Sequence, residues 1–113
     1  MNFADVILPL PLDGVFTYVV PDMLTSQVRF GVRVVVPLGR SKTYTALVVR
    51  VHRDQPNFEV RDILGVLDDK EMLLERQYRL WQWISDYYMA PLGDIFKAAL
   101  PSGLKAEDGY RPR

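Results

Sequence analysis

The chain has 113 residues, 49% hydrophobic and 25% charged, which is the composition of one globular domain with one core rather than of two domains or a disordered segment. Cysteine is absent, which excludes disulfide bonds, thiolate zinc sites and cysteine nucleophiles, and no apolar run reaches the length of a membrane span. Fourteen basic and fourteen acidic residues give zero net charge, so the chain as a whole is not a strongly basic nucleic-acid binder.

The first 67 residues carry the patterns of β-strands separated by turns. β-branched and aromatic runs predict strands, and proline and glycine mark the connections between them. We predict five strands, over residues 3–8, 15–20, 31–37, 43–52 and 59–67. Short strands with this punctuation favour a small barrel, of OB-like type, or a sandwich.

The pattern becomes helical after residue 67. Asp68, followed three residues later by Glu71, resembles a capping box and predicts a helix start. Apolar residues then recur at helical spacing, and Pro91 suits the first turn of a second, short helix that Pro101 and Gly103 end. We therefore predict a mainly β fold with α, with the barrel over residues 1–67, a long and a short helix within residues 68–104, and a polar tail over residues 105–113. The aromatic residues of the long helix, Trp81, Trp83, Tyr87 and Tyr88, are expected in the core.

Basic residues are concentrated in one window of the chain. No acid occurs between Met23 and Arg53, whereas six basic residues do: Arg29, Arg33, Arg40, Lys42, Arg50 and Arg53. A local basic surface on a neutral chain suggests an anionic partner. The alternative is that these long side chains only solvate strand faces.

No catalytic constellation can be assembled from the residues. His52 is the only histidine and is expected at the surface at a strand end, and neither a GxGxxG nor a GxxxxGK[ST] phosphate loop occurs. The residues alone indicate a binding module or a structural domain and do not decide between the two.

Three segments in succession resemble one known family: FADVILPLPLDGVFTYVVP, GVRVVVPLGRSKTYTALVV and ISDYYMAPLGDIFKAALP. They are similar to the N-terminal 3′-end DNA-binding domain of the bacterial PriA replication-restart helicases, over residues 1 to 104. The resemblance implies that the chain is a fragment of a larger ATP-dependent 3′-to-5′ DNA helicase, cytoplasmic in bacteria, with ATP and zinc bound elsewhere in that protein and no cofactor here. The implied function is recognition of the 3′ end of the leading strand at a stalled fork.

The resemblance also implies a site for the last nucleotide. By position it transfers to Phe16, Thr17, Gly39 and Arg61, with Arg40 and Lys42 as possible backbone contacts. An aromatic ring can stack on a base, a glycine lets backbone approach the sugar, and a cation can meet a phosphate. Thr17 stands where many relatives have aspartate, so a charged acceptor is lost, and Arg61 replaces a lysine.

The expected partners are a single-stranded 3′ end or branched fork DNA, other domains of the parent helicase and primosome proteins, with no membrane and a monomeric chain. A second hypothesis keeps the same fold as a protein-docking barrel within the helicase or primosome, without direct DNA contact. An exposed apolar patch would favour docking, whereas the acid-free window beside Phe16 favours DNA.

Overall fold

Five antiparallel strands and two helices make up residues 1–99, the part of the chain that the structure, a computed structural model, describes. The elements are β1 (Asn2–Ile7), β2 (Phe16–Val20), β3 (Arg33–Leu38), β4 (Lys42–His52), β5 (Gly65–Val66), α1 (Glu75–Tyr88) and α2 (Leu92–Ala99), with a 3₁₀ turn at Asp22–Leu24. The strands form one sheet in the order β2-β1-β4-β3-β5. The predicted mainly β fold with two following helices is confirmed. The predicted helix end at Pro101 and Gly103, and the predicted tail over 105–113, lie outside the described residues.

The sheet is curved and covered on both faces. Its inner face holds one cluster of buried residues, contributed by all four long strands and by the loops between them: Ala4, Val6, Leu8, Tyr18, Val20, Val28, Val32, Val34, Val36, Ala46, Val48 and Ile63. Its outer face packs Ile7 and Leu47 against Phe96 of α2 and against Leu73. Strand β1 is therefore buried on both sides, which explains why its sequence shows no polar face.

Residues 61–67 connect the two ends of the sheet. The Val19 amide of β2 donates to the Arg61 carbonyl at 2.8 Å, and the Ile63 amide donates to Val19 at 3.0 Å. Two residues later, β5 pairs with β3 at Val34 and Val35. The barrel is thus not one continuous ladder, but this segment bridges the gap between its first and last strands. The OB-like description agrees with this arrangement.

The fifth strand and the start of the long helix differ from the prediction. Only Gly65–Val66 pairs as a strand, because the backbone groups of the segment before it alternate between two partner strands. Helix α1 begins at Glu75, seven positions later than Asp68 suggested, and the Gln77 side chain accepts the Leu74 amide at 2.8 Å. Asp68 instead binds the Arg33 backbone amide and guanidinium at 2.7 to 2.9 Å, so its carboxylate anchors the loop to β3 rather than capping a helix.

Helix α1 packs with one face only. Tyr78 contacts Phe30 edge to face, and Trp81 lies 6.3 Å from the Phe96 ring between centroids. The opposite face carries exposed rings: Trp83 stacks on Tyr87, and Tyr87 meets Tyr88 edge to face. The expectation of a core position is therefore wrong for these three and holds in part for Trp81, which is half-buried. No helix within residues 1–99 is long and apolar enough to cross a membrane.

Candidate nucleic-acid interface

A cavity of about 260 Å³ opens between β2 and the segment that crosses it. One wall is formed by residues 15–18 and the other by residues 58–61. Three of the predicted site residues, Phe16, Thr17 and Arg61, line this cavity. The walls are held in register by the hydrogen bonds between Val19 and the 61–63 segment, so the opening is part of the barrel framework.

The fourth predicted residue, Gly39, joins the cavity through Arg61. One terminal nitrogen of the Arg61 guanidinium donates to the Gly39 carbonyl at 2.6 Å. Gly39 has φ of +71°, and no heavy atom lies within 4 Å of the position that a Cβ would occupy. The turn conformation therefore accounts for the glycine, and the open space above it also permits close approach of a ligand. The hydroxyl of Tyr18 donates to the Pro37 carbonyl at 2.8 Å and ties the same end of β3 to β2.

Phe16 and Thr17 point to opposite sides of β2, as strand alternation requires. The Phe16 ring is half-buried, packs against the inner cluster and lines the cavity. The Thr17 hydroxyl donates to the Asp5 carboxylate at 2.8 Å on the neighbouring strand. Thr17 thus contributes its hydroxyl to an adjoining polar cluster and not to the Phe16 side.

That polar cluster centres on the buried carboxylate of Asp5. Asp5 also contacts Nε2 of His52 at 2.9 Å and Arg50 at 3.4 Å. Burial alone would raise the pKa of Asp5, but the hydrogen bonds from His52 and Thr17 and the charges nearby hold the pKa below its usual value. The expectation of a surface position for His52 is wrong, since only 10% of its side chain is exposed.

The tautomer of His52 follows from its two contacts. Nδ1 accepts the backbone amide of Asp54 at 3.1 Å, so the ring proton is on Nε2 and is donated to Asp5. In this arrangement each ring nitrogen of His52 has one partner. A bulge between Asp5 and Val6 in the pairing of β1 with β4 bends the sheet beside this cluster.

A second cavity, of about 360 Å³, lies next to the first. It is lined by Asp5, Thr17, Arg50, His52 and residues 54–58. Thr17 and Phe58 line both cavities, so the two openings are neighbours on one surface.

The acid-free window does not produce one continuous basic face. Arg29 pairs with Glu71 at 2.9 Å, Arg33 with Asp68 at 2.7 Å, and Arg50 with both Asp5 and Asp54, and every acid in these pairs comes from outside the window. The predicted backbone contacts, Arg40 and Lys42, are exposed and form no ion pair within residues 1–99. Arg40 follows Gly39 in the turn after β3, and Lys42 is the first residue of β4, so both lie beside the turn that Arg61 contacts.

Two residues of the cavity are not predicted from the sequence. Phe58 is 61% exposed and has no ring partner within the described residues, and Glu59 is exposed and unpaired in the same part of the chain. Both lie on the loop that the sequence suggested was partly strand. Their side chains carry no periodic signal, and only the position of the loop across β2 brings them to the cavity. Among residues 1–99 no cluster of three or more histidine or acidic side chains could hold a metal ion.

The family model described as "3′DNA-binding domain (3′BD)" of PriA matches residues 5–101. The chain is similar to the replication restart protein PriA of Bacillus subtilis, at 32% identity over 95% of this chain and 14% of that protein. It is 33% identical to PriA of Haemophilus influenzae over 93% of this chain and 14% of that protein, and 31% identical to PriA of Synechocystis over 90% and 12%.

The chain therefore spans about one-seventh of the length of these curated relatives. The family match covers both cavities, the two helices and all of the sheet except residues 2–4 of β1. On this evidence the chain belongs to the 3′ DNA-binding domain family of the replication restart protein PriA.

Proposed function

We propose that this domain binds the 3′ end of single-stranded DNA at a stalled replication fork and thereby orients a restart helicase. The observation that supports the proposal most directly is the cavity between β2 and residues 58–61. It combines three aromatic residues, a guanidinium and a carboxylate in a chain of this family. We extend the proposal to the longer protein: an ATP-dependent helicase of the bacterial cytoplasm, in which this domain is a monomeric binding module without a cofactor of its own.

Each group in the cavity has a role that suits a terminal nucleotide. The Phe16 ring supplies a face for the base, and Arg61 supplies a cation for the phosphate that precedes the terminal sugar. Arg40 and Lys42 extend that positive charge along the backbone of the incoming strand. Because Arg61 is held by the Gly39 carbonyl, its planar fork is oriented before the ligand arrives.

Glu59 is the group that we assign to the 3′-hydroxyl. The Thr17 hydroxyl donates its hydrogen bond to Asp5, whereas Glu59 lines the first cavity and brings a carboxylate to it. A carboxylate accepts a hydrogen bond from a free 3′-hydroxyl and repels a 3′-phosphate. Glu59 would thus take over the function of the aspartate that many relatives have at the position of Thr17.

The experiment is a fluorescence titration of one oligonucleotide carrying either a 3′-hydroxyl or a 3′-phosphate. A hydrogen bond to a charged group contributes about 1.5–3 kcal/mol, so the 3′-phosphate should bind roughly ten- to a hundredfold more weakly. Glu59→Gln should narrow this ratio, whereas Glu75→Gln, the same charge change at the start of α1, should not. Equal affinity of the wild-type domain for both oligonucleotides would refute 3′-end recognition.

Phe16 is expected to act in both binding and folding, because its ring packs on the inner cluster and lines the cavity. Phe16→Leu keeps most of the apolar volume and removes the aromatic face. We expect it to weaken 3′-end binding by roughly 1–3 kcal/mol while the melting temperature changes little. Phe16→Ala should lose the same affinity and also stability, though less than the about 3–5 kcal/mol of a fully buried phenylalanine.

Thermal unfolding and titration of the two variants separate the roles of this ring. If Phe16→Leu binds the 3′ end as tightly as the wild type, the ring is only a packing residue and its place in the DNA site is wrong.

Protein docking is the second candidate function, and one observation favours it. Trp83, Tyr87 and Tyr88 form a stacked and exposed aromatic face on α1, well away from the sheet interior. Such a patch is typical of a contact surface for another protein or domain. We propose that this face contacts other domains of the helicase or a primosome protein, in addition to DNA binding at the cavity.

A further inference from the structure

The second cavity has no role in the binding of a single terminal nucleotide. It adjoins the first along β2, and the two share Thr17 and Phe58. Phe58 borders both openings with a ring that is 61% exposed and unpacked against any other ring in residues 1–99. An aromatic side chain in this position offers contact area to a ligand on either side.

The polar groups of the second cavity do not make an anion site. Arg50 is shared between the carboxylates of Asp5 at 3.4 Å and Asp54 at 3.1 Å, and both ring nitrogens of His52 already have partners, Nε2 in Asp5 and Nδ1 in the Asp54 amide. Two carboxylates therefore offset one guanidinium, which disfavours a phosphate. The rest of the lining is Thr17, Pro56 and Phe58, together with Gln55 and Asn57, which carry amide side chains.

Those groups suit a neutral heterocycle with mixed donors and acceptors on its edge. Asparagine, glutamine and aspartate side chains are common partners of base edges. An exposed aromatic ring supplies the stacking face that single-stranded binding sites use. A nucleobase therefore fits the chemistry of the second cavity better than a sugar-phosphate group does.

We propose that the second cavity is a subsite for the penultimate base of the bound strand, and that Phe58 stands between this base and the terminal one. The inference rests on the proposed function, since it places the terminal nucleotide in the first cavity. It adds that the domain recognises two successive nucleotides and that Phe58 is a specificity-determining residue of the site. In this arrangement the two bases enter the cavities, and the phosphates of the bound strand lie on the side of Arg61, Arg40 and Lys42.

The test compares three oligonucleotides that all end in a 3′-hydroxyl: one intact, one abasic at the terminal position and one abasic at the penultimate position. The wild-type domain should bind the penultimate abasic strand about tenfold more weakly than the intact strand, because one stacked base is lost. Phe58→Ala should bind the intact and the penultimate abasic strands about equally, and Phe58→Trp should restore the difference. Leu64→Ala, a truncation of another exposed apolar residue outside both cavities, should behave as the wild type does.

The outcomes separate this inference from the proposed function. If the wild type distinguishes the 3′-hydroxyl from the 3′-phosphate but binds intact and penultimate abasic strands equally, the second subsite is refuted and the proposed function stands. If Phe58→Ala remains as sensitive to the penultimate base as the wild type, Phe58 does not divide the subsites and the inference is also overturned. If the wild type makes no distinction at the 3′ terminus, the proposed function itself fails. Thermal unfolding of each variant confirms that only folded protein is compared.

Discussion

Replacing Gly93 by alanine should lower the free energy of unfolding by about 3 kcal/mol, which for a domain of this size is a fall of roughly 10–20 °C in melting temperature. Helix propensity alone predicts the opposite sign, because alanine is favoured over glycine within a helix by about 1 kcal/mol. A Cβ at Gly93 would overlap the backbone carbonyls of Leu10 and Leu8. Neither carbonyl can rotate away as a side chain would, so α2 must move off the end of β1.

The matched control is Gly65→Ala in β5, where no heavy atom lies within 4 Å of the added Cβ. We expect that variant to stay within about 0.5 kcal/mol of the wild type. The measurement is chemical denaturation followed by circular dichroism. A stabilised Gly93→Ala domain would show that α2 does not pack on the loop after β1 as closely as the structure has it.

Asp68→Asn should be the second strongly destabilising substitution, at about 2–3 kcal/mol near neutral pH. The Asp68 carboxylate accepts three hydrogen bonds from Arg33, and 13% and 12% of the two side chains are exposed. Asparagine leaves the guanidinium without a counter-charge in a largely dehydrated site, and breaking a buried pair in this way is costly. The remaining contact with water keeps the expected loss below that of a fully buried pair.

The pH dependence has a definite sign. Burial raises the pKa of Asp68, but the hydrogen bonds and charge of Arg33 outweigh it and hold the pKa below the ordinary value of 3.8. A lowered folded pKa means that the carboxylate stabilises the fold above the unfolded pKa and loses this contribution as the pH falls through the folded value. The difference between wild type and Asp68→Asn should therefore be constant near neutral pH and shrink as the pH falls below the ordinary value of 3.8 and through the lower folded pKa.

Glu71→Gln serves as the control for the capping interpretation. If Asp68 and Glu71 capped a helix together, both substitutions would weaken α1. Because Glu71 forms only an exposed pair with Arg29, we expect no measurable change. Comparable losses in both variants would contradict the placement of Asp68 against β3.

The four long strands are predictable from sequence because their signals are local. Each is a β-branched run bounded by proline, glycine or a polar turn, and the observed bounds differ from the prediction by no more than two residues. The fifth strand is not predictable in this way, since its backbone bonds to β2 through Arg61 and Ile63 and to β3 through Gly65 and Val66. Because the backbone of residues 61–67 changes its partner strand from β2 to β3, the side chains of this segment do not show the two-residue period of a regular strand.

Long-range pairing explains the other differences. The capping signal at Asp68 is chemically sound, but Arg33, 35 positions earlier, competes for the same carboxylate. Arg33 donates its backbone amide and two guanidinium N–H groups, which outcompete one helix amide. His52 is likewise buried by an aspartate 47 residues away. The acid-free window predicted a more basic surface than the structure shows, because acids from distant segments pair with its arginines.

The lining of the candidate site was predictable as far as the resemblance reached. It named Phe16, Thr17, Gly39 and Arg61, and the structure places all four at or beside one cavity, although Thr17 directs its hydroxyl away from the ring of Phe16. Phe58 and Glu59 could not be named, because they lie in a loop whose path depends on hydrogen bonds between its far end and β2. Their assignment needs the three-dimensional course of the chain.

The segment over residues 61–67 also has a protective effect. A strand edge with unpaired amides and carbonyls is a template for another chain, and edge pairing is a common route to aggregation. This segment bonds to Val19 at the edge formed by β2 and to residues 33–35 of β3 on the other side, so it covers part of both edges. Arg61, which we assign to the DNA, lies at its start, so a bound 3′ end would hold the segment shut and slow hydrogen exchange at the Val19 and Ile63 amides. Bound DNA would then protect the domain from aggregation, and the free domain would be the form most prone to self-association through its strand edges.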